Sequence, residues 1–209
     1  MKRILIADDH AAVRIGLRAV LEQRPGWKIV AEAADGKKAF EAAIETRPHV
    51  AILDFSLPHM TGIEVARLIS RRLQETQILI FTIHESRVLA QEAFQAGAQA
   101  YLVKSDANKL LLAAVDALMA NRPFVDRRFG DQSRREQDDV REEQHKLSPR
   151  ERLVVTFVAE GYSNKEISAV LNLSVKTTEA HRAAAMRKLG VKSVAGLVRY
   201  AAKANMIET

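Results

Sequence analysis

The sequence predicts a two-part chain: an α/β unit with a doubly wound, five-stranded parallel sheet, then an all-α unit of four helices built around a helix-turn-helix. Three observations carry this. Short runs rich in Ile, Val and Leu alternate with amphipathic stretches over the first 120 residues. Residues 147–205 are helical in period throughout and are punctuated by serines at cap positions. The charge is uneven: residues 1–120 hold 15 Lys/Arg against 14 Asp/Glu, residues 121–145 hold 6 against 7, and residues 146–209 hold 11 against 5. The net charge of +6 therefore sits in the last third, as expected of a nucleic-acid-binding module beside a neutral partner.

Strands are predicted at 3–7, 28–33, 50–53, 78–82 and 100–103. Each is short and apolar without strict alternation, as strands covered on both faces should be. Helical segments between them span about 11–23, 36–46, 62–73, 85–96 and 106–120. Gly36 and Gly62 open two of these, and Gly97 follows another as a C-terminal cap. Strict alternation of strand and helix calls for a parallel sheet with helices on both faces. Ligands on such sheets bind at the carboxyl ends of the strands.

Residues 121–145 break the pattern with Arg-Arg, Asp-Asp and Glu-Glu pairs and few apolar residues after Phe129, which predicts an exposed linker between domains at 1–120 and 146–209. Beyond it, Ser148-Pro149-Arg150-Glu151 is a capping box with Pro at the first helical position, and Gly161 ends that helix. Ser163-Asn164-Lys165-Glu166 is a second box, opening a short helix that closes near Leu171-Asn172. Ser174 caps a third helix running to about Lys188, and Ser193 caps a fourth reaching about Asn205. Two short helices joined at the Asn172-Leu173-Ser174 corner have the spacing of a DNA-reading helix-turn-helix.

No apolar run is long enough to span a membrane, because Arg, Lys, Glu or Gln interrupts each candidate. Met1-Lys2-Arg3 leads through Ile4-Leu5-Ile6 to Asp8-Asp9-His10, where a signal peptide would still be apolar. The lack of Cys excludes disulfides and thiolate metal sites. A cytoplasmic protein is expected.

Candidate chemistry gathers at predicted strand ends. Asp8 and Asp9 follow the first strand, Asp54 the third and Lys104 the fifth, while Thr82 ends the fourth. Ionised acids held this close repel one another and shift pKa values upward unless a cation sits among them. Hard oxygen ligands of this kind suit Mg²⁺. Acids, hydroxyl and lysine on one edge form a phosphoryl-transfer site in which a carboxylate can be the nucleophile. Singly, each residue has a plainer reading, with Asp8 and Asp9 as helix caps and Lys104 as an acid's partner. Five polar groups on the same edge favour the site. His10, His59 and His84 lack ligand spacing and are expected to be solvated or to stand behind the site, Phe55 to pack, and Trp27 to begin a strand.

On the segments ILIADDH, AILDFSLPHMTGIE, ILIFT and AGAQAYLVKS, residues 2–120 resemble the flavodoxin-like receiver domain of two-component response regulators. The resemblance implies that Asp54 accepts a phosphoryl group from a histidine kinase. It implies Mg²⁺ held by Asp9, Asp54 and the backbone carbonyl of Ser56, with Asp8 bound through water. Lys104 would pair with the phosphoryl oxygens, Thr82 would move to hydrogen-bond them, and Tyr101 would turn inward when that threonine moves. Pro58 and Gly62 match the loop after the acceptor. Ser105 departs from the pattern, standing where many receivers have Pro, which leaves the Lys104–Ser105 bond open between cis and trans.

The string LSPRERLVVTFVAEGYSNKEISAVLNLSVKTTEAHRAAAMRKLGVKS resembles the LuxR-type helix-turn-helix of the NarL/FixJ subfamily, on Glu151, Gly161, Asn164, Lys165, Glu166, Ile167, Thr177, His181, Lys188 and Leu189. This implies a recognition helix at 175–188 in the major groove of double-stranded DNA. Glu179, Ala180 and Ala183 then face the groove, Thr177 is among the DNA-binding positions, and Lys165, Lys176, Arg182, Arg187 and Lys188 suit phosphates. Residues 193–205 match the helix that pairs two such domains on a site of two half-sites, so a homodimer is expected on activation. Thr178, Ala184 and Ala185 stand where the family usually has Val, Asn and Ile. The helix's core contacts are therefore expected mainly from Met186, Leu189 and neighbouring helices.

The expected function is a transcriptional response regulator and not an enzyme. A Mg²⁺-dependent phosphohydrolase would need a second acid two residues beyond the nucleophile, where this chain has Ser56, and would leave the basic C-terminal part unexplained. An RNA-binding output would need an aromatic platform or a Gly-rich loop, and residues 146–209 have neither.

Overall fold

A computed structural model of the chain describes residues 1–126, 128–129, 147–204 and 206–207. It groups into two compact units, one from residues 1–85 and 90–129 and the other from residues 86–89 and the C-terminal helices. The N-terminal α/β part of the chain contains β1 (Lys2–Ala7), α1 (Ala11–Leu21), β2 (Trp27–Ala33), α2 (Gly36–Thr46), β3 (Val50–Asp54), α3 (Gly62–Arg72), β4 (Gln77–Thr82), α4 (Arg87–Gln95), β5 (Ala100–Val103) and α5 (Ala107–Met119). All strands are parallel, in the order β2-β1-β3-β4-β5. The winding reverses between β1 and β3, which opens a crevice beyond their carboxyl ends.

Ile4, Ile6, Val50, Ile52, Leu79, Phe81, Ala100 and Leu102 pack against Leu17 and Leu21 of α1 and Leu111, Val115 and Leu118 of α5. The intervening Leu5, Ala51, Leu53, Ile78, Ile80 and Tyr101 are just as buried on the other side of the pleat. Burial on both faces is why these strands read as continuous apolar runs. A Thr61–Glu64 capping box that the sequence reading passed over opens α3. No cis peptide occurs among the described residues, so the Lys104–Ser105 bond is trans. A single 3-10 turn, Lys104–Asp106, leads into α5.

Phe124 bridges to Ala100, and residues 128 and 129 also belong to the first unit, which therefore runs into the stretch expected as linker. The larger part of that stretch, 130–145, lies outside the described residues, as do residues 127, 146 and Asn205.

The second unit contains α6 (Pro149–Ala159), α7 (Asn164–Val170), α8 (Val175–Leu189) and α9 (Val194–Lys203). Ser148 with Glu151 and Ser163 with Glu166 form reciprocal capping boxes, and Ser174 and Ser193 cap α8 and α9. Asn172 turns α7 toward α8 at a φ of 52°, a left-handed conformation that Asn tolerates better than most residues. Leu153, Phe157, Ile167, Leu171, Ala185, Leu197 and Ala201 are buried.

Packing of α8 corrects one expectation. Its buried residues are Thr178 and Ala185, whereas Met186 and Leu189 are only half-buried. Small side chains let the helix lie close to its neighbours. The Thr178 hydroxyl is buried there and has no hydrogen-bond partner among the described residues. Leaving such a group unpaired costs about 1–3 kcal/mol. Thr178→Val, of nearly the same shape, should therefore stabilise the fold by about 1 kcal/mol. The measurement is a urea titration, with a higher midpoint at unchanged slope expected and a lower midpoint counting against it.

Candidate functional site

Asp8 and Asp54 meet because β1 and β3 are neighbours that end on the same edge. Lys104, entering from β5, places Nζ 2.7 Å from Asp8 Oδ2 and 3.1 Å from Asp54 Oδ1. Asp8 is 0% exposed and Asp54 is 5% exposed, so the ammonium bridges two carboxylates largely cut off from water. Burial pushes the Asp54 carboxyl above its ordinary value, Lys104 draws it back, and Asp8 and Asp9 push it up again. Burial would lower Lys104, but Asp54 and Asp8 outweigh it and leave the ammonium held more tightly. Both groups shift upward because the lysine gains from two acids, whereas Asp54 shares one lysine with acidic neighbours.

Asp9 is partly exposed, and His10 Nδ1 lies 2.6 Å from its Oδ1. The ligand atoms of Asp8, Asp9 and His10 fall within 4.8 Å of one another. His10 thus stands beside the acid cluster while its side chain stays largely solvated, as expected. His10, not Asp8 or Asp9, occupies the N-cap of α1 and makes no side-chain cap bond, so the helix-cap reading of the two acids fails. The His10 N–H donates to Asp8 Oδ1, and Arg14 Nη1 donates to the Asp8 backbone carbonyl. Sequence reasoning missed Arg14, whose only signal is its place one turn into α1. Two acids on one lysine, with Asp9 nearby, leave an excess of negative charge, and their hard oxygens fit a small divalent cation.

Thr82 is buried, and its Oγ1 accepts from the His84 N–H at 3.1 Å, which leaves its own proton to donate. Tyr101 is fully buried and donates its phenol to the His84 carbonyl at 2.7 Å. The His84 ring meets Phe55 edge-on at 5.8 Å. Burial, and then Lys104, holds that imidazole below its ordinary value, so it is neutral near pH 7. The loop after the acceptor is tied back by Gly62 N to the Phe55 carbonyl and by Gly36 N to the Pro58 carbonyl, with His59 at a φ of 66°. Ser56 is half-buried in this loop, two residues beyond Asp54.

In the second unit Lys176, Thr177, Glu179, Ala180, Ala183 and Arg187 are exposed on α8, away from buried Thr178 and Ala185, and Lys165 is exposed on α7. Asn164 of α7 links two of the expected DNA residues: its Nδ2 donates to Glu179 Oε1 at 3.4 Å, and its Oδ1 accepts from Arg182 Nη1 at 3.1 Å. Lys188, expected to meet phosphate, instead pairs with the buried Glu151 carboxylate at 2.6 Å. Burial would raise that carboxyl, but Lys188 and Ser148 outweigh it and hold it low. Among the described residues, no helix is long and apolar enough to cross a membrane.

An acid pocket at a sheet edge, followed by a helix-turn-helix, defines a signal-receiving regulator. Residues 4–116 match the response regulator receiver domain, and residues 145–201 match the bacterial regulatory proteins of the luxR family. The oxygen regulatory protein NreC of Staphylococcus epidermidis is 36% identical, with 99% of each chain covered, and that of Staphylococcus aureus is 34% identical with the same coverage. Among solved structures, a LuxR-family two-component response regulator from Aurantimonas is 41% identical over 59% of this chain and 88% of that one, at a TM-score of 0.57. RcsB from Salmonella enterica serovar Typhimurium, bound to promoter rprA in the presence of phosphomimetic BeF3−, is 28% identical over 95% of this chain and 97% of that one, at a TM-score of 0.64. The chain belongs to the two-component response regulators, with a receiver domain followed by a LuxR-family DNA-binding domain.

Proposed function

We propose that Asp54 accepts a phosphoryl group from a histidine kinase and that its charging controls DNA binding by the effector in the cytoplasm. The observation that carries this is Lys104, whose ammonium spans Asp8 and Asp54 at the carboxyl edge of the sheet. In the transfer, an Asp54 oxygen forms a bond to phosphorus while the donor's nitrogen–phosphorus bond breaks. Asp8, Asp9, Asp54 and the backbone carbonyl of Ser56 would hold Mg²⁺, with Asp8 acting through water. When bound, the ion neutralises charge on the phosphoryl oxygens and the acids. Lys104 can then turn from Asp54 to a phosphoryl oxygen, the Thr82 proton can be donated to another, and buried Tyr101 keeps the His84 backbone in place behind them.

For the effector, the exposed face of α8 enters the major groove, and two copies engage two half-sites through pairing of α9. Lys165, Lys176 and Arg187 meet phosphates, with Thr177, Ala180 and Ala183 beside the bases. RcsB, solved on promoter DNA, supports this reading. Glu179 has two readings. A carboxylate among cations can accept from the N4 amino group of cytosine, or it can fix Asn164 and through it Arg182, which the Asn164 contacts favour. Under the first, Glu179→Ala loses preference at one C·G pair per half-site, and under the second it loses affinity without changing the motif. Lys176→Ala should weaken all sequences alike and reduce the salt slope by about one unit. Binding-site selection with salt titration makes these measurements, and an unchanged Lys176→Ala slope contradicts the placement of α8.

A further inference from the structure

The segment that leaves α5 is strapped back onto the phosphoryl-site edge. Arg128 donates Nη1 to Glu85 Oε1 at 2.7 Å, Nη2 to Asp126 Oδ2 at 2.6 Å, and a further bond to Asp106. Its guanidinium lies 5.4 Å from the centre of the Phe129 ring, and that ring meets Tyr101 edge-on at 5.0 Å. One exposed ion pair contributes little. Here a single guanidinium, braced by Asp126 of its own segment, reaches acids of two other segments, Glu85 and Asp106, and both of these lead into the acid pocket. Asp106 ends the 3-10 turn that Lys104 begins. Glu85 follows His84, whose carbonyl accepts from Tyr101 and whose N–H donates to Thr82. Phe129 packs against Tyr101, so the seated segment helps to keep that ring buried.

We propose that Arg128 and Phe129 are positioning residues for the phosphoryl site: they form a latch that holds Tyr101, His84 and Thr82 in the arrangement that receives a phosphoryl group. This rests on the reading of Asp54 as the acceptor. Thermodynamic linkage makes the coupling reciprocal. If seating the segment favours a charged Asp54, charging favours the seated segment by the same factor, and the segment leads to the effector. Both halves of the latch act through other residues: Arg128 through Glu85 and Asp106, Phe129 through Tyr101.

The test titrates beryllofluoride into the full-length chain with Mg²⁺ in a calorimeter and follows thermal melting of the uncharged proteins in parallel. The wild type should bind and Asp54→Asn should not; a wild type that fails to bind overturns the acceptor reading, and the latch with it. Phe129→Ala and Arg128→Ala should each bind at least about fivefold more weakly. Phe129→Tyr, which keeps the ring, should restore binding. Arg24→Ala breaks an exposed pair with Asp116 and should leave binding unchanged. Arg128→Ala removes only a partly exposed side chain, and its melting curve reports whether it is folded. If it and Phe129→Ala bind with wild-type affinity while the wild type binds normally, the latch is overturned, whatever their melting temperatures.

Discussion

Asp54→Asn should take up no phosphoryl group from a small phosphodonor and Mg²⁺ under conditions in which the wild type takes up one, as read by intact mass. Asp54 is the acid that ends the central strand, and Lys104 holds it from one side. Asp8, on the neighbouring strand end, is fully buried, while Asp9 is paired with His10. Equal labelling of the variant would remove Asp54 from the mechanism. The same variant carries a stability signature. Burial raises the Asp54 pKa in the folded state, so the native protein binds that proton more tightly than the unfolded chain does. Stability from this group is therefore lost as pH rises from the unfolded value through the folded one, and neutral pH lies on the costly side. Without Mg²⁺, Asp54→Asn should be more stable than the wild type, with a higher melting temperature. Mg²⁺ should narrow the gap by binding only the folded wild-type pocket.

Gly62→Ala should be strongly damaging to the receiver. A Cβ built at Gly62 falls 2.1 Å from the carbonyl oxygen of Asp54, a distance that only backbone movement can relieve. The loop carrying Ser56 must then shift, and Asp54 with it. A cost of about 2–3 kcal/mol is expected, together with slower phosphoryl uptake. Gly196→Ala is the control, because its nearest atoms are side-chain atoms 3.3 Å and 3.4 Å away and its helix gains from Ala. Urea midpoints for the two variants make the comparison. Equal costs would show that the loop is not packed against the acceptor as described.

The α/β unit was legible in the sequence because its strands are buried on both faces, and Leu5, Ile52 and Ile80 leave no alternation to confuse them with half-exposed strands. Asp8, Asp54 and Lys104 were legible for a related reason: polar groups that interrupt apolar runs at strand ends stand out. Arg14 was not, since its contact is with a backbone carbonyl and any arginine in a first helical turn looks alike. Arg128 and Phe129 were hidden in a run of charges that reads as solvated linker, where only the partners reveal a purpose. Lys188 misled because a cation on a recognition helix points toward phosphate in sequence, whereas Glu151, far away in the chain, claims it in space. Thr178 and Ala185 inverted the expected packing of α8, because small residues bury completely where helices approach closely.

Control of DNA binding by Asp54 is tested most directly by one isotherm measured twice. A genomic fragment selected by the protein is titrated at fixed salt with the full-length chain, with and without beryllofluoride and Mg²⁺, beside Asp54→Asn as reference. The wild type should bind at least about fivefold more tightly when charged, and Asp54→Asn should show a single affinity in both conditions. A wild type with the same affinity charged and uncharged, or an Asp54→Asn that responds as the wild type does, would contradict it.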